Sequence, residues 1–242
     1  MALNNNRSCV WFDLDDTLIT TSKSLVAAVN ASTTFLRTIF PALTEIDVAR
    51  QSMDVWLTEL GPGTPGFSNL RHMDLHAFRT CIVQGTLQRL NLAGINAQDL
   101  LQHSASAEEN AWVCYPGVTE VLDSMVQDGI PIGLISNGPT ALQNRKLVST
   151  GLIKYFERIV LDCEVGISKP DAKIFQLAAE CMPNCNHVMV GNDPDADIDG
   201  ALRANWTAIW FKPGWDGETK PSEMGYIPIH HHREIYGHLT KG

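Results

Sequence analysis

From Tyr115 onward the sequence alternates short apolar runs with amphipathic segments, and this alternation limits the possible folds more than any other feature of the chain. Helical spacing covers Val118 to Gln127 and stops before Gly129, and the apolar run Ile130 to Ile135 follows. A second helix is expected from Thr140 to Thr150, stopped by Gly151, then a strand at Ile159 to Leu161 and a helix from Asp171 to Cys181. A strand at Val188 to Val190, a short helix at Asp197 to Asn205 and a last strand at Thr207 to Phe211 complete the series. Repeated strand–helix pairs specify right-handed βαβ units, a mostly parallel sheet and helices on both faces, which makes the chain an α/β protein.

The run Cys9-Val10-Trp11-Phe12 reads as one more buried strand, ending abruptly in Asp13-Leu14-Asp15-Asp16-Thr17. After it, Leu25, Val29, Leu36, Ile39 and Phe40 recur at helical spacing between Ser22 and Phe40, and Pro41 stops the pattern. Further helices are expected up to Trp112, interrupted by the loop Gly61-Pro62-Gly63-Thr64-Pro65-Gly66, with no period-two strand. The expected organisation is a Rossmann-like core from residues 1–18 and 113–242, with residues 19–112 inserted as a helical cap subdomain.

With 242 residues, 44% of them hydrophobic, the chain can bury a substantial core. A formal net charge of −9 and the absence of a Lys/Arg cluster argue against a nucleic-acid partner. The polar start, Met1 to Arg7, and the early end of the first apolar run at Asp13 do not fit a signal peptide, and no apolar run is long enough to span a bilayer. A cytoplasmic protein, monomer or homodimer, is the expectation. Its six cysteines are then expected to be reduced thiols, and Cys181, Cys185 and His187 lack a fourth ligand for zinc.

In a sheet of this kind, ligands bind beyond the carboxyl ends of the strands. Asp13 to Thr17, Ser136-Asn137-Gly138 and Asn192 to Asp197 occupy those positions, and Lys169 precedes a helix. Carboxylates crowded at Asp13 and Asp15 raise each other's pKa unless a cation neutralises them, which points to a hard divalent ion, with magnesium the best fit. Phosphoryl transfer needs an aligned nucleophile, a metal, further positive charge and hydrogen-bond donors around the phosphoryl oxygens. Asp13 is the candidate nucleophile, forming an aspartyl-phosphate, and Asp15 the candidate acid and then base. Ser136, with the amides near Asn137 and Gly138, is placed to hold the phosphoryl group while Lys169 offsets its charge; Thr17 joins these as a substrate-binding candidate.

Asp13-Leu14-Asp15-Asp16-Thr17-Leu18, Ser136-Asn137-Gly138, Ser168-Lys169-Pro170, and Val190-Gly191-Asn192-Asp193 with Asp197-Ile198-Asp199-Gly200-Ala201 resemble, in order, the four motifs of the haloacid dehalogenase-like superfamily. Tyr115-Pro116-Gly117-Val118 resembles the re-entry into the core after a cap, so the similarity extends over nearly the whole chain. The resemblance implies hydrolysis of a small phosphorylated metabolite and a magnesium ion touching the Asp13 side chain, the Asp15 main-chain carbonyl and a residue of the fourth motif. The sequence departs from the pattern at Asn192, where the family places Asp. Asn keeps an oxygen ligand and loses a charge, so the metal candidates are Asp13, Asp15, Asn192 and Asp193, with Asp197 behind them.

A 2-haloacid dehalogenase needs neither Asp15 nor magnesium, a phosphotransferase would pass the phosphoryl group to a hydroxyl, and a binding protein with a decayed metal site would not need Asp13, Asp15, Ser136 and Lys169 together. Arg71, His72 and His76 of the cap are candidates for leaving-group recognition, or ordinary surface residues. His230-His231-His232 define no coordination geometry, and Trp206, Trp210, Phe211 and Trp215 read as packing near the last strand.

Overall fold

The computed structural model describes residues 7–214 and 225–239. It contains one six-stranded sheet in the order β3-β2-β1-β4-β5-β6, every pairing parallel. The strands are β1 (Ser8–Phe12), β2 (Ile132–Ser136), β3 (Arg158–Leu161), β4 (Asn186–Gly191), β5 (Thr207–Phe211) and β6 (Ile227–Ile229). The first strand of the chain is therefore central, flanked by β2 and β4.

All five residues of β1 are buried, as a strand with neighbours on both sides and both faces covered requires. Cys9 and Trp11 belong to the core formed with Ile174, Phe175 and Ala178 of α8 (Ala172–Cys181) and Ala201 of α9 (Gly200–Arg203), while Val10 and Phe12, alternating with them, face the other side. Trp11 lies beside Gly133 in the β1–β2 register, and a Cβ at Gly133 would come within 2.3 Å of the indole ring. The glycine thus makes room for the indole of Trp11. Each fully buried apolar side chain of β1 contributes about 1.5–3 kcal/mol relative to exposure.

Two compact units are present, one of Met1–Ile19, Cys114–Asn137 and Thr150–Gly242, the other of Thr20–Val113 and Gly138–Ser149. The first holds the sheet. In the second, Leu36 of α1 (Thr21–Arg37), Val48 of α2 (Glu45–Val55), Val83 and Leu87 of α3 (Leu75–Arg89) and Leu100 and Leu101 of α4 (Ala97–Asn110) form a core of their own. Three of these helices, α2, α3 and α4, start where the sequence supplies caps: Thr44, Asp74 and Asn96 each accept a hydrogen bond from an amide of the following first turn. The helical insert between β1 and β2 agrees with the sequence reading, and α6 (Thr140–Ser149) groups with these helices.

Three expectations are corrected. The short helix expected at Asp197 to Asn205 is a π-helical turn at Pro194–Asp199 followed by α9, because Asp193 caps the chain earlier and Pro194 follows as the first residue of the turn. Thr207–Phe211, expected to be the last strand, is followed by β6, whose proline sits on an edge strand. Cys9 and Cys185 form a disulfide, where reduced thiols were expected. The pairing of Ser8 with Asn186 brings the amino ends of β1 and β4 together, and the Cα atoms of Cys9 and Cys185 lie 5.6 Å apart. Trp215 lies outside the described residues. Among the described residues, no helix is long and apolar enough to cross a membrane.

Candidate active site

Asp13 follows β1 directly, and its amide donates to the carbonyl of Val190, extending the β1–β4 ladder by one bond. The chain then turns at once: Asp16 adopts a positive φ of 56° and its amide donates to Ile19, while the amides of Leu18 and Ile19 donate to Leu14. This tight turn keeps Asp13 and Asp15 at the carboxyl end of the sheet.

Lys169 is the electrostatic centre. Its ammonium donates to Asp13 Oδ1 at 2.7 Å, to Asp197 Oδ1 at 2.6 Å and to the carbonyl of Ile135 at 2.9 Å, so all three of its protons are used. Lys169, Asp13 and Asp197 are all buried. The Asp13 carboxyl is pushed up to about 7, first by burial, with the Lys169 ammonium acting in the opposite direction and the charges of Asp197 and Asp15 adding to the rise. Burial opposes the charge on Lys169, but the carboxylates of Asp13 and Asp197 overcome it and raise its pKa. The lysine stays charged and the nucleophile candidate sits in an excess of negative charge.

The loop bearing Lys169 is fixed to the loop after β2. Asn137 Nδ2 donates to the Lys169 carbonyl at 3.0 Å, and the Lys169 amide donates to Asn137 Oδ1 at 2.9 Å. One residue earlier, Ser168 donates its hydroxyl to Asp162 Oδ2 at 2.9 Å, and Asp162, fully buried at the end of β3, also accepts from the Cys163 amide. Ser136 is the last residue of β2 and is buried, and Gly138 has φ 129°, a conformation that L side chains rarely adopt.

At the end of β4, Gly191 passes so close to Asp197 that a Cβ would overlap the carboxylate, at 2.2 Å from Oδ2. Asp197 Oδ2 accepts from the Asp193 amide, and Asp193 Oδ1 accepts from the amides of Asp195 and Ala196, capping the π-helical turn. Asn192 is held twice: Trp210 Nε1 donates to its carbonyl at 2.9 Å, and Thr17 Oγ1 donates to its Oδ1 at 3.1 Å.

The sequence-predicted residues Asp13, Thr17, Ser136, Asn137, Lys169 and Asn192 thus meet at the carboxyl ends of β1, β2 and β4. The Asn137 side chain and the Thr17 hydroxyl are spent on protein partners, and one oxygen of Asp193 serves as a cap. Asp162 escaped the sequence reading, and Trp210 was read only as packing. Asp162 directly follows Leu161 and was available to the strand-end rule; the indole of Trp210 gave no such signal. Arg71, His72 and His76 are exposed residues of the helical unit. Among the described residues, no three His, Cys, Asp or Glu side chains converge as a metal-binding group. The donors near Asp13 nevertheless suit a hard cation: they are oxygens, and the charges of Asp197 and Asp15 add to the burial that raises the Asp13 pKa.

Residues 8–205 match the model of the haloacid dehalogenase-like hydrolase family, and the chain belongs to that family. A phosphoserine phosphatase of Thermus thermophilus is 31% identical over 139 residues, 57% of this chain and 55% of the relative. The pyrimidine 5'-nucleotidase YjjG of Escherichia coli is 38% identical over 99 residues, 40% of this chain and 44% of the relative, so the chain matches about half the length of these two. A glyceraldehyde 3-phosphate phosphatase of Pyrococcus furiosus is 28% identical over 211 residues, covering 85% of this chain and 80% of the relative. Among solved structures, the HAD-hydrolase YfnB of Bacillus subtilis, bound to magnesium, superposes with a TM-score of 0.65 at 19% identity, over 97% of this chain and 99% of YfnB, which shows the shared fold.

Proposed function

We propose that this protein is a magnesium-dependent phosphomonoester hydrolase acting on a small phosphorylated metabolite through an aspartyl-phosphate on Asp13. The observation that carries the reading is the buried Lys169 ammonium, 2.7 Å from Asp13 Oδ1, which fixes that carboxylate at the end of a central strand with Asp15 two residues on.

In the first step an Asp13 carboxylate oxygen attacks phosphorus and the bond to the leaving oxygen breaks, with Asp15 delivering a proton to that oxygen. In the second, Asp15 takes a proton from water, which attacks phosphorus and releases Asp13 and inorganic phosphate. Lys169 offsets negative charge beside the nucleophile, and the Ser136 hydroxyl with the amides around Asn137 and Gly138 provides donors for the phosphoryl oxygens. The residues that would hold magnesium are Asp13, the Asp15 carbonyl and Asn192, with Asp193, next in the chain, as a further candidate. Bound there, a divalent cation supplies positive charge that keeps Asp13 ionised and neutralises the phosphoryl group.

The glyceraldehyde 3-phosphate phosphatase relative, aligned over most of both chains, supports a three-carbon phosphate as the first substrate to try. The test is phosphate release from p-nitrophenyl phosphate, glyceraldehyde 3-phosphate, phosphoserine and nucleoside monophosphates, with magnesium or EDTA, by the wild type and Asp13→Asn. Turnover that needs magnesium and disappears in D13N supports the reading. Chloride release from 2-chloropropionate with no phosphate release from any ester overturns it.

A further inference from the structure

His232 lies 215 residues from Thr17 in sequence, yet its Nε2 is 2.9 Å from the Thr17 carbonyl oxygen. The residue is only 2% exposed. Its ring packs 4.2 Å from the Phe211 ring and 6.3 Å from that of Tyr115, centroid to centroid. A carbonyl only accepts, so Nε2 carries the proton and donates. His232 Nδ1 is buried without a hydrogen-bond partner, which suits a neutral ring and would penalise a second proton. Burial accordingly holds the imidazole well below its ordinary range, at about 4.

The backbone on either side fixes this ring. The Lys212 amide donates to Ile229 in β6, His230 Nδ1 lies 3.0 Å from the Lys212 carbonyl, and Glu234 Oε1 accepts from the amides of His230 and His231. The three adjacent histidines are therefore separated in role: His230 ties the segment to the end of β5, His231 is exposed, and His232 alone reaches the acid-bearing loop.

We propose that His232 is a positioning residue for the loop after β1, pinning the Thr17 carbonyl through Nε2–H so that the Thr17 hydroxyl stays on Asn192 Oδ1. Resting on the phosphatase reading for its kinetic consequence, this makes the segment after β6 part of the apparatus that aligns Asp13, Asp15 and Asn192. The bland alternative is that His232 only fills space among aromatic rings, and a phenylalanine would fill it as well.

The experiment compares H232F, which keeps a ring and loses the donor, with H232Q, which restores a donor of similar reach. With magnesium saturating, kcat of H232F is expected to fall roughly ten- to hundredfold at nearly unchanged KM, and H232Q to regain most of it. Wild-type kcat in H232F, or H232Q no better than H232F, overturns the proposal. Independently of activity or of variant folding, a long-range 1H–15N spectrum of the wild type at pH 7 reports the tautomer. An Nε2–H ring is expected for His232, assigned by its disappearance in H232Q, and an Nδ1–H ring overturns the contact. A wild type inactive on every phosphoester defeats the phosphatase reading while leaving this tautomer test decisive for the contact itself.

Discussion

Thr17 donates its hydroxyl to Oδ1 of Asn192 across 3.1 Å, joining the loops that leave the neighbouring strands β1 and β4. An amide oxygen fixed by such a donor is aimed, but it carries no net charge. Asn192→Asp keeps an acceptor for Thr17 and adds a negative charge where cation affinity depends on charge count, so half-maximal activity is expected at roughly tenfold less magnesium. Asn192→Ala removes the oxygen and is expected to shift the requirement the other way. A magnesium titration of turnover for the three proteins checks both directions.

Lys169 compensates two buried acids at once, so its removal has a structural as well as a chemical effect. Lys169→Met leaves Asp13 and Asp197 buried without their cation, and a loss of about 3–5 kcal/mol in unfolding free energy is expected, together with loss of turnover. Adding Asp197→Asn to that variant removes one orphaned charge. The double variant is expected to recover part of the stability and none of the activity, a separation that urea denaturation and phosphate release measure side by side.

Asn137 tests whether the tie between the two loops matters to the site. Asn137→Ala strips partners from both the amide and the carbonyl of Lys169, at about 1–3 kcal/mol of stability. Asn137→Asp retains an acceptor for the amide and loses the donor to the carbonyl, so it is expected to fall between wild type and alanine. Thermal unfolding and kcat are expected to rank the three proteins in the same order.

The strand-end rule made most of this site legible because the sheet is parallel and its strands are short. Asp13, Ser136 and Asn192 each stand where a run of buried apolar residues stops, and that position depends on local pattern alone. What the Asn137 side chain does was not legible: its partners are main-chain atoms 32 residues away, and main-chain atoms carry no sequence signal. The same holds for Asn192, whose carbonyl is held by an indole that reads as packing. β6 escaped for a different reason. Three residues with a central proline, Ile227-Pro228-Ile229, have neither the length nor the alternation of a strand, and only pairing with β5 makes them one.

The depressed pKa of His232 has a measurable consequence for stability. Above the ordinary histidine range the ring is neutral folded or unfolded, and it contributes no pH dependence. As pH falls below 6.5 the unfolded chain takes up a proton that the folded one refuses until about pH 4. Stability is therefore lost through that window, by an amount on the order of a few kcal/mol in total. H232Q, with no titrating ring, is expected to show a shallower decline in unfolding free energy between pH 6.5 and 4, measured by urea denaturation at each pH.

The central place of β1 bears on how the molecule is made. Its neighbours begin only at Ile132 and Asn186, so a ribosome has to add the whole helical insert before the first strand finds either partner. Until then five residues destined for the deepest part of the sheet stand with unpaired amides and apolar side chains in water. The helices of the insert, with a core of their own, have the means to fold during that wait, whereas β1 does not. The strand that ends in Asp13 is thus made first among the described strands and paired only after most of the helical unit exists.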